Sequence, residues 1–161
     1  IENTTALNSS SAIHMYCSIH QGWGAESTTV NGGIIKNDTY RSIRINKGTL
    51  NINGGKCEGQ IWMHPSDNNT SITITGGDFA PRGVDGSSVF IENGKYTVGM
   101  AISGGTFNTK IGCSSPTKDG VKGKITGGKF TEKAKTGTNS ALFATGTWSE
   151  LVDNFYTFTA N

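Results

Sequence analysis

Apolar and polar positions alternate with a period of two along most of this chain, and five of the alternating runs close on the same six-residue signature. It reads aliphatic, small polar, Gly-Gly, any residue, bulky apolar. The copies are Val30-Asn31-Gly32-Gly33-Ile34-Ile35, Ile52-Asn53-Gly54-Gly55-Lys56-Cys57, Ile74-Thr75-Gly76-Gly77-Asp78-Phe79, Ile102-Ser103-Gly104-Gly105-Thr106-Phe107 and Ile125-Thr126-Gly127-Gly128-Lys129-Phe130. A weaker sixth copy, Phe143-Ala144-Thr145-Gly146-Thr147-Trp148, keeps one glycine and the closing aromatic. The first glycines at 32, 54, 76, 104 and 127 are spaced by 22, 22, 28 and 23 residues. A period in this range marks a solenoid, in which each unit buries its apolar face only against its neighbours.

The columns of this alignment predict the cross-section of a coil. Successive side chains of a strand face opposite ways, so the column Val30, Ile52, Ile74, Ile102 and Ile125 points inward. The column Asn31, Asn53, Thr75, Ser103 and Thr126 then points outward. The Gly-Gly pair turns the chain, since glycine accepts positive φ. Ile35, Cys57, Phe79, Phe107 and Phe130 re-enter the core after the corner. Further strands are expected around the pairs Ile43 and Ile45, Ile61 and Met63, Val89 and Ile91, and Ile111 and Cys113. The 28-residue coil must loop out, at Ala80 to Ser87. No helical period is sustained, apart from a short helical turn expected at Ser149 to Asn154. Six coils at about 4.8 Å make a rod of about 29 Å.

This pattern resembles the right-handed parallel β-helix, or pectin-lyase-like, superfamily. More narrowly, Ile102-Ser103-Gly104-Gly105-Thr106-Phe107 is similar to the I-S-G-G-T-F repeats of bacterial cell-surface proteins. The expected fold is therefore all-β, a right-handed parallel β-helix of about six coils in one domain. Residues 1–27 form an N-terminal segment, 28–148 the repeat coils and 149–161 a C-terminal cap. The resemblance implies architecture more than activity, because the fold hosts lyases, hydrolases, adhesins and tailspikes alike.

Composition supports an ordered chain. There are 161 residues with 23 glycines, three prolines and only 16% charged residues, which disordered chains usually exceed. The net charge of +2, with no basic run or stripe, argues against a nucleic-acid partner. No apolar stretch is long enough to span a membrane, so no insertion is expected. The chain begins at Ile1, as a processed protein or a fragment would. Its three cysteines, Cys17, Cys57 and Cys113, are an odd number that suggests no disulfide framework. Five N-glycosylation sequons start at Asn3, Asn8, Asn37, Asn68 and Asn69, about as many as so much Asn, Ser and Thr gives by chance.

The chemistry-bearing clusters are few. His14-Met15-Tyr16-Cys17-Ser18-Ile19-His20 looks like a ligand set, but the alternation turns Cys17 inward and the histidines outward. On a strand His14 and His20 stand about 20 Å apart, too far to share a zinc. No phosphate loop, dinucleotide fingerprint, zincin helix or nucleophile elbow is present, and no metal or cofactor is expected. Carbohydrate cleavage needs two converging carboxylates, or a cationic base with a charge neutraliser. The best cluster for it is Asp78, Arg82 and Asp85, beside or within the third-coil loop; its simpler reading is a solvated loop with Asp78 paired to Lys56 below. The outward file of Asn31, Asn53 and Thr75, flanked by Thr29, Asn51 and Thr73, is a flat polar array suited to binding a glycan. Trp23, Tyr40 or Trp62 could supply an aromatic beside it. Ice binding through this array is disfavoured by the breaks at Ala101 and Lys124.

The sequence thus predicts a non-catalytic structural or adhesive module of a secreted or cell-surface protein, binding a polysaccharide or host glycan, or associating with itself through its ends. The alternative is a polysaccharide lyase or glycoside hydrolase using Asp78, Arg82 and Asp85.

Overall fold

A computed structural model describes residues 2–3, 11–15, 27–80, 86–92, 95–114, 120–133 and 140–161, with backbone alone for 2–3, 11–15 and 38–40. The strands form parallel files running up a β-solenoid. The first file holds Ser27–Val30, Thr49–Ile52, Thr70–Ile74, Val98–Ile102 and Val121–Ile125, paired without a register shift. Thr29, Asn51, Thr73, Ala101 and Lys124 stand in one line, so the glycine spacings of 22, 22, 28 and 23 are the steps of the stack. The second file follows the corner. It takes the opening residues of Ile34–Ile45 and Lys56–Met63, then Asp78–Phe79, Thr106–Phe107 and Gly127–Phe130. The third takes Ser11–Met15, the closing residues of the same two long strands, Val89–Ile91 and Ile111–Cys113.

The core follows from the alternation. Ile52, Ile74, Ile102 and Ile125 are fully buried in one stack. Phe79, Phe107 and Phe130 form another, their rings 4.7 and 4.9 Å apart and 9° from parallel. The step between coils is 22 residues at Lys56 and Asp78 but 28 at Ile61 and Val89, which places the extra residues between Phe79 and Val89. That is the segment from which the sequence expects a loop; 81–85 lie outside the described residues.

The corner glycines divide their work differently from the expectation. The second of each pair carries the left-handed backbone, +107° at Gly77 and +102° at Gly105. The first, from Gly54 onward, is excluded from bearing a side chain by the coil below. A Cβ on Gly76 would lie 2.5 Å from the Asn53 carbonyl oxygen, and one on Gly104 would run into that of Thr75.

The stack completes about four turns, fewer than the six coils expected. Phe143 does bridge Ile125 in parallel, as the sixth copy requires. Beyond it the copy leaves the pattern, because Tyr156–Ala160 enters antiparallel between Gly127–Phe130 and Gly146–Trp148. The chain returns through Asp153 and Asn154, at φ of +50° and +67°, between Val152 and Phe155, which exchange both backbone hydrogen bonds at 2.9 Å. Asp and Asn tolerate this backbone, so the segment Ser149 to Asn154, expected as a short helical turn, instead leads into a hairpin. The inserted strand carries Phe158 into the core against Phe143 and Trp148, at ring separations of 4.9 Å each. It thereby caps both the last coil's strand edge and its aromatic end. Deleting residues 149–161 is expected to lower the melting temperature and cause aggregation through the uncovered edge, read by light scattering. Unchanged melting and scattering would contradict the cap.

Candidate functional site

The second file places Asp78 half-buried on the outer side of the rod, between Lys56 below and Thr106 above. Asp78 Oδ1 accepts a hydrogen bond from Asn108 Nδ2 at 3.0 Å, and the Lys56 ammonium lies 2.5 Å from Glu58. Arg82 and Asp85, its proposed companions, lie outside the described residues. Asp78 has a second electrostatic neighbour in Cys57. Burial first, and the Asp78 carboxylate second, push the Cys57 thiol up to about 12 from 9.0. It is therefore protonated at neutral pH and is no nucleophile.

This shift has a sign for stability. The folded thiol holds its proton where the unfolded one releases it, so its contribution is complete below pH 9.0 and is lost as pH rises toward about 12. Cys57→Ala is expected to flatten that alkaline fall in a urea-melt series across pH 8 to 12, roughly the span of the shift. Equal slopes in the two proteins would contradict it.

On the first file the outward side chains bond upward from coil to coil. Asn53 Nδ2 donates to Asn31 Oδ1 at 2.8 Å, and Thr75 Oγ1 donates to Asn53 Oδ1 at 3.0 Å. The structure thus brings Asn31, Asn53 and Thr75 together as a hydrogen-bonded ladder. Thr49 and Ser71 hydroxyls, 3.0 Å apart, repeat the arrangement at the far end of the strands. Higher up, Thr126 Oγ1 turns to the Ile102 carbonyl, and Lys124, in line with Thr29, Asn51 and Thr73, donates to the Ala141 carbonyl. The array is therefore regular over three coils. Of the sequons, Asn37 is fully buried and donates through Nδ2 to the Arg41 carbonyl at 2.7 Å, which closes it to glycosylation in the folded chain.

Among the aromatics named from sequence, Trp62 stands half-buried on the outer side of the third file. Trp23 and the side chain of Tyr40 lie outside the described residues. The Arg41 and Arg44 guanidinium carbons lie 3.2 and 4.7 Å from the Trp62 ring centroid. The His64 ring is 4.7 Å from the indole, and His64 Nδ1 is 3.0 Å from Glu92 Oε2. Sequence reasoning named Trp62 but missed the arginines. The signal was a break in the alternation at Arg41-Ser42-Ile43-Arg44, where two charges flank two inward residues.

Among the described residues no group of three or more His, Cys, Asp or Glu could hold a metal ion, and no helix is long and apolar enough to cross a membrane. Cys17 and His20 lie outside those residues; His14 registers beside Arg44 in the third file. Comparison with known proteins finds no family model, no curated protein and no solved structure that matches the chain.

Proposed function

We propose that the chain is a non-catalytic structural or adhesive module of a secreted or cell-surface protein, kin to the I-S-G-G-T-F repeat proteins within the pectin-lyase-like superfamily. The observation that carries this reading is the Asn31, Asn53 and Thr75 ladder. Outward polar groups are spent on bonding coil to coil, which stiffens a rod and leaves a flat hydrated flank. Such a flank suits weak, extended contact with a polysaccharide or with another copy, since contact along a flat, hydrated face gains less than a deep apolar pocket does. Asp78 fits the same reading, as a side chain holding Asn108 of the next coil.

Incubation with a panel of uronic-acid polymers, neutral glycans and mucins, with and without calcium, tests the proposal. The expected result is retention on one or more of them with no cleavage product. New reducing ends or unsaturated uronate absorbance, abolished by Asp78→Ala or Asp85→Ala, would favour the enzyme instead.

A further inference from the structure

The foot of the first file is one strand short. Glu2–Asn3 lies below Lys36 and Asn37 in the second file, and Ser11–Met15 below Arg41 to Ile45 in the third. Ser27–Val30 has Thr49–Ile52 above it and, among the described residues, ends its sheet. The packing shows the gap. Thr28 is half-buried where Leu50 above it is fully enclosed. A virtual Cβ on Gly32 or Gly33 meets nothing described within 4 Å, whereas one on Gly54 would lie 2.9 Å from the Asn31 carbonyl oxygen. Alternate residues of a parallel strand bond to opposite neighbours. The Asn53 amide donates to the Val30 carbonyl at 2.8 Å, so Val30 and Thr28 bond upward and the N–H and C=O of Thr29 face the gap.

The head of the second file carries a matching strand. Gly146–Trp148 ends the other sheet, beyond Tyr156–Ala160. Two antiparallel pairings in succession restore its direction to that of the coils. Its phase is restored as well. The Thr145 carbonyl accepts from the Asn161 amide at 3.0 Å and the Ser149 amide donates to the Thr157 carbonyl at 2.9 Å, so Thr147 bonds downward with them. The backbone groups of Gly146 and Trp148 then face out of the stack. Thr147 is exposed, while Trp148 turns in against Phe143 and Phe158. Inward residues bonding upward is the arrangement of the coils themselves, where the Ile52 and Cys57 carbonyls accept from Thr75 and Ala80 of the next coil. The cap therefore covers one coil edge and presents another of the same kind.

We propose that copies of this chain associate head to tail, Gly146–Trp148 of one copy adding as a parallel strand to Ser27–Val30 of the next. Thr147 then stands beside Thr29 and Trp148 beneath Val30. The Thr29 amide donates to the Gly146 carbonyl, and the Trp148 amide to the Thr29 carbonyl. Among the described residues the exposed large apolar side chains are Ile34, just past the first corner, and Leu151 and Val152, just past Trp148. They lie at the two ends that this pairing joins. The charges also match in sign: residues 140–161 hold Glu150 and Asp153 with no Lys or Arg, whereas residues 1–47 hold four cations against three carboxylates. The two edges are different surfaces, so the contact is heterologous and extends into chains instead of closing at a dimer. The inference rests on the structural reading above and places its contact with another copy at the ends of the rod.

Sedimentation of the full chain over about a hundredfold range of concentration tests it. The weight-average mass should rise with concentration past that of a dimer. Thr29→Pro removes the amide that faces the gap and no existing ladder bond, which an edge strand tolerates. It should weaken association about tenfold while keeping the melting temperature. Mixed Thr29→Cys and Thr147→Cys proteins should form a disulfide dimer under mild oxidant, since facing residues of adjacent strands stand within disulfide range. Wild type and either variant alone should not. The cross-link carries the test if Thr29→Pro unfolds. A Thr29→Cys homodimer would mean a head-to-head contact and overturn the proposal. A monomer at every concentration would also overturn it, and protection of its Thr29 amide from hydrogen exchange would show the edge covered from within the chain. Association left unchanged by a folded Thr29→Pro would overturn the strand pairing. Retention on a glycan without self-association would overturn this inference and leave the adhesive reading standing, whereas glycan cleavage would overturn that reading alone.

Discussion

Gly104→Ala is expected to destabilise the rod by about 3 kcal/mol, the upper end of what overpacking a close-packed site costs. The added methyl would enter the Thr75 carbonyl oxygen of the coil below, which is itself held in the stack because the Ser103 amide bonds to Ile74 beside it at 2.9 Å. Neither backbone can retreat without breaking that ladder. Gly32 is the internal control. It occupies the same place in the signature, has no left-handed φ and, among the described residues, has nothing within 4 Å of its virtual Cβ. Gly32→Ala should therefore shift stability by no more than about 0.5 kcal/mol, as open surface substitutions do. Chemical denaturation of both variants makes the comparison. Equal effects would show that the motif position, not the approach of the next coil, sets the requirement.

Phe107→Ala should cost about 3–5 kcal/mol, the range for deleting a buried aromatic ring. Phe107 is fully buried and lies between the rings of Phe79 and Phe130, so its loss opens a gap with two stacked faces. The Gly105 corner runs beside these rings, since a Cβ on it would lie 2.9 Å from the Phe79 ring and 3.3 Å from that of Phe107. Ile34→Ala, at a side chain 57% exposed one residue before the same column, should be nearly neutral. A loss below about 1 kcal/mol at Phe107 would mean that the aromatic stack is not the core's main support.

Much of this fold is legible in the sequence because a solenoid repeats its physics. Once Ile52, Ile74, Ile102 and Ile125 align, register, inward face and the position of the third-coil insertion all follow from counting. What escapes is whatever the repeat does not encode. The alignment shows that Gly76 and Gly77 are both glycine but cannot tell a steric need from a conformational one, since the first depends on a carbonyl 23 residues earlier. The sixth copy reads as a coil because its own residues fit. Its displacement is caused by Tyr156–Ala160, which lies later in the chain and pairs antiparallel.

The candidate sites divide in the same way. Asn31, Asn53 and Thr75 were visible as a file, because they occupy one column of the repeat and meet through it. Arg41 and Arg44 were not, because period-two reasoning sends them to opposite faces and only the register shift between Arg41 and Ile43 unites them. Asp78 proves to be tied to Asn108 in the next coil, a contact the column alignment had no means of giving.

The stack itself is open to one direct measurement. Backbone nuclear Overhauser contacts of the native protein should link Thr29 to Asn51, Asn51 to Thr73, Thr73 to Ala101 and Ala101 to Lys124, in the pattern of parallel strands. Those contacts, at successive steps of 22, 22, 28 and 23 residues, are the predicted result. An antiparallel pattern among these residues, or contacts at any other spacing, would contradict the solenoid and every inference built on it.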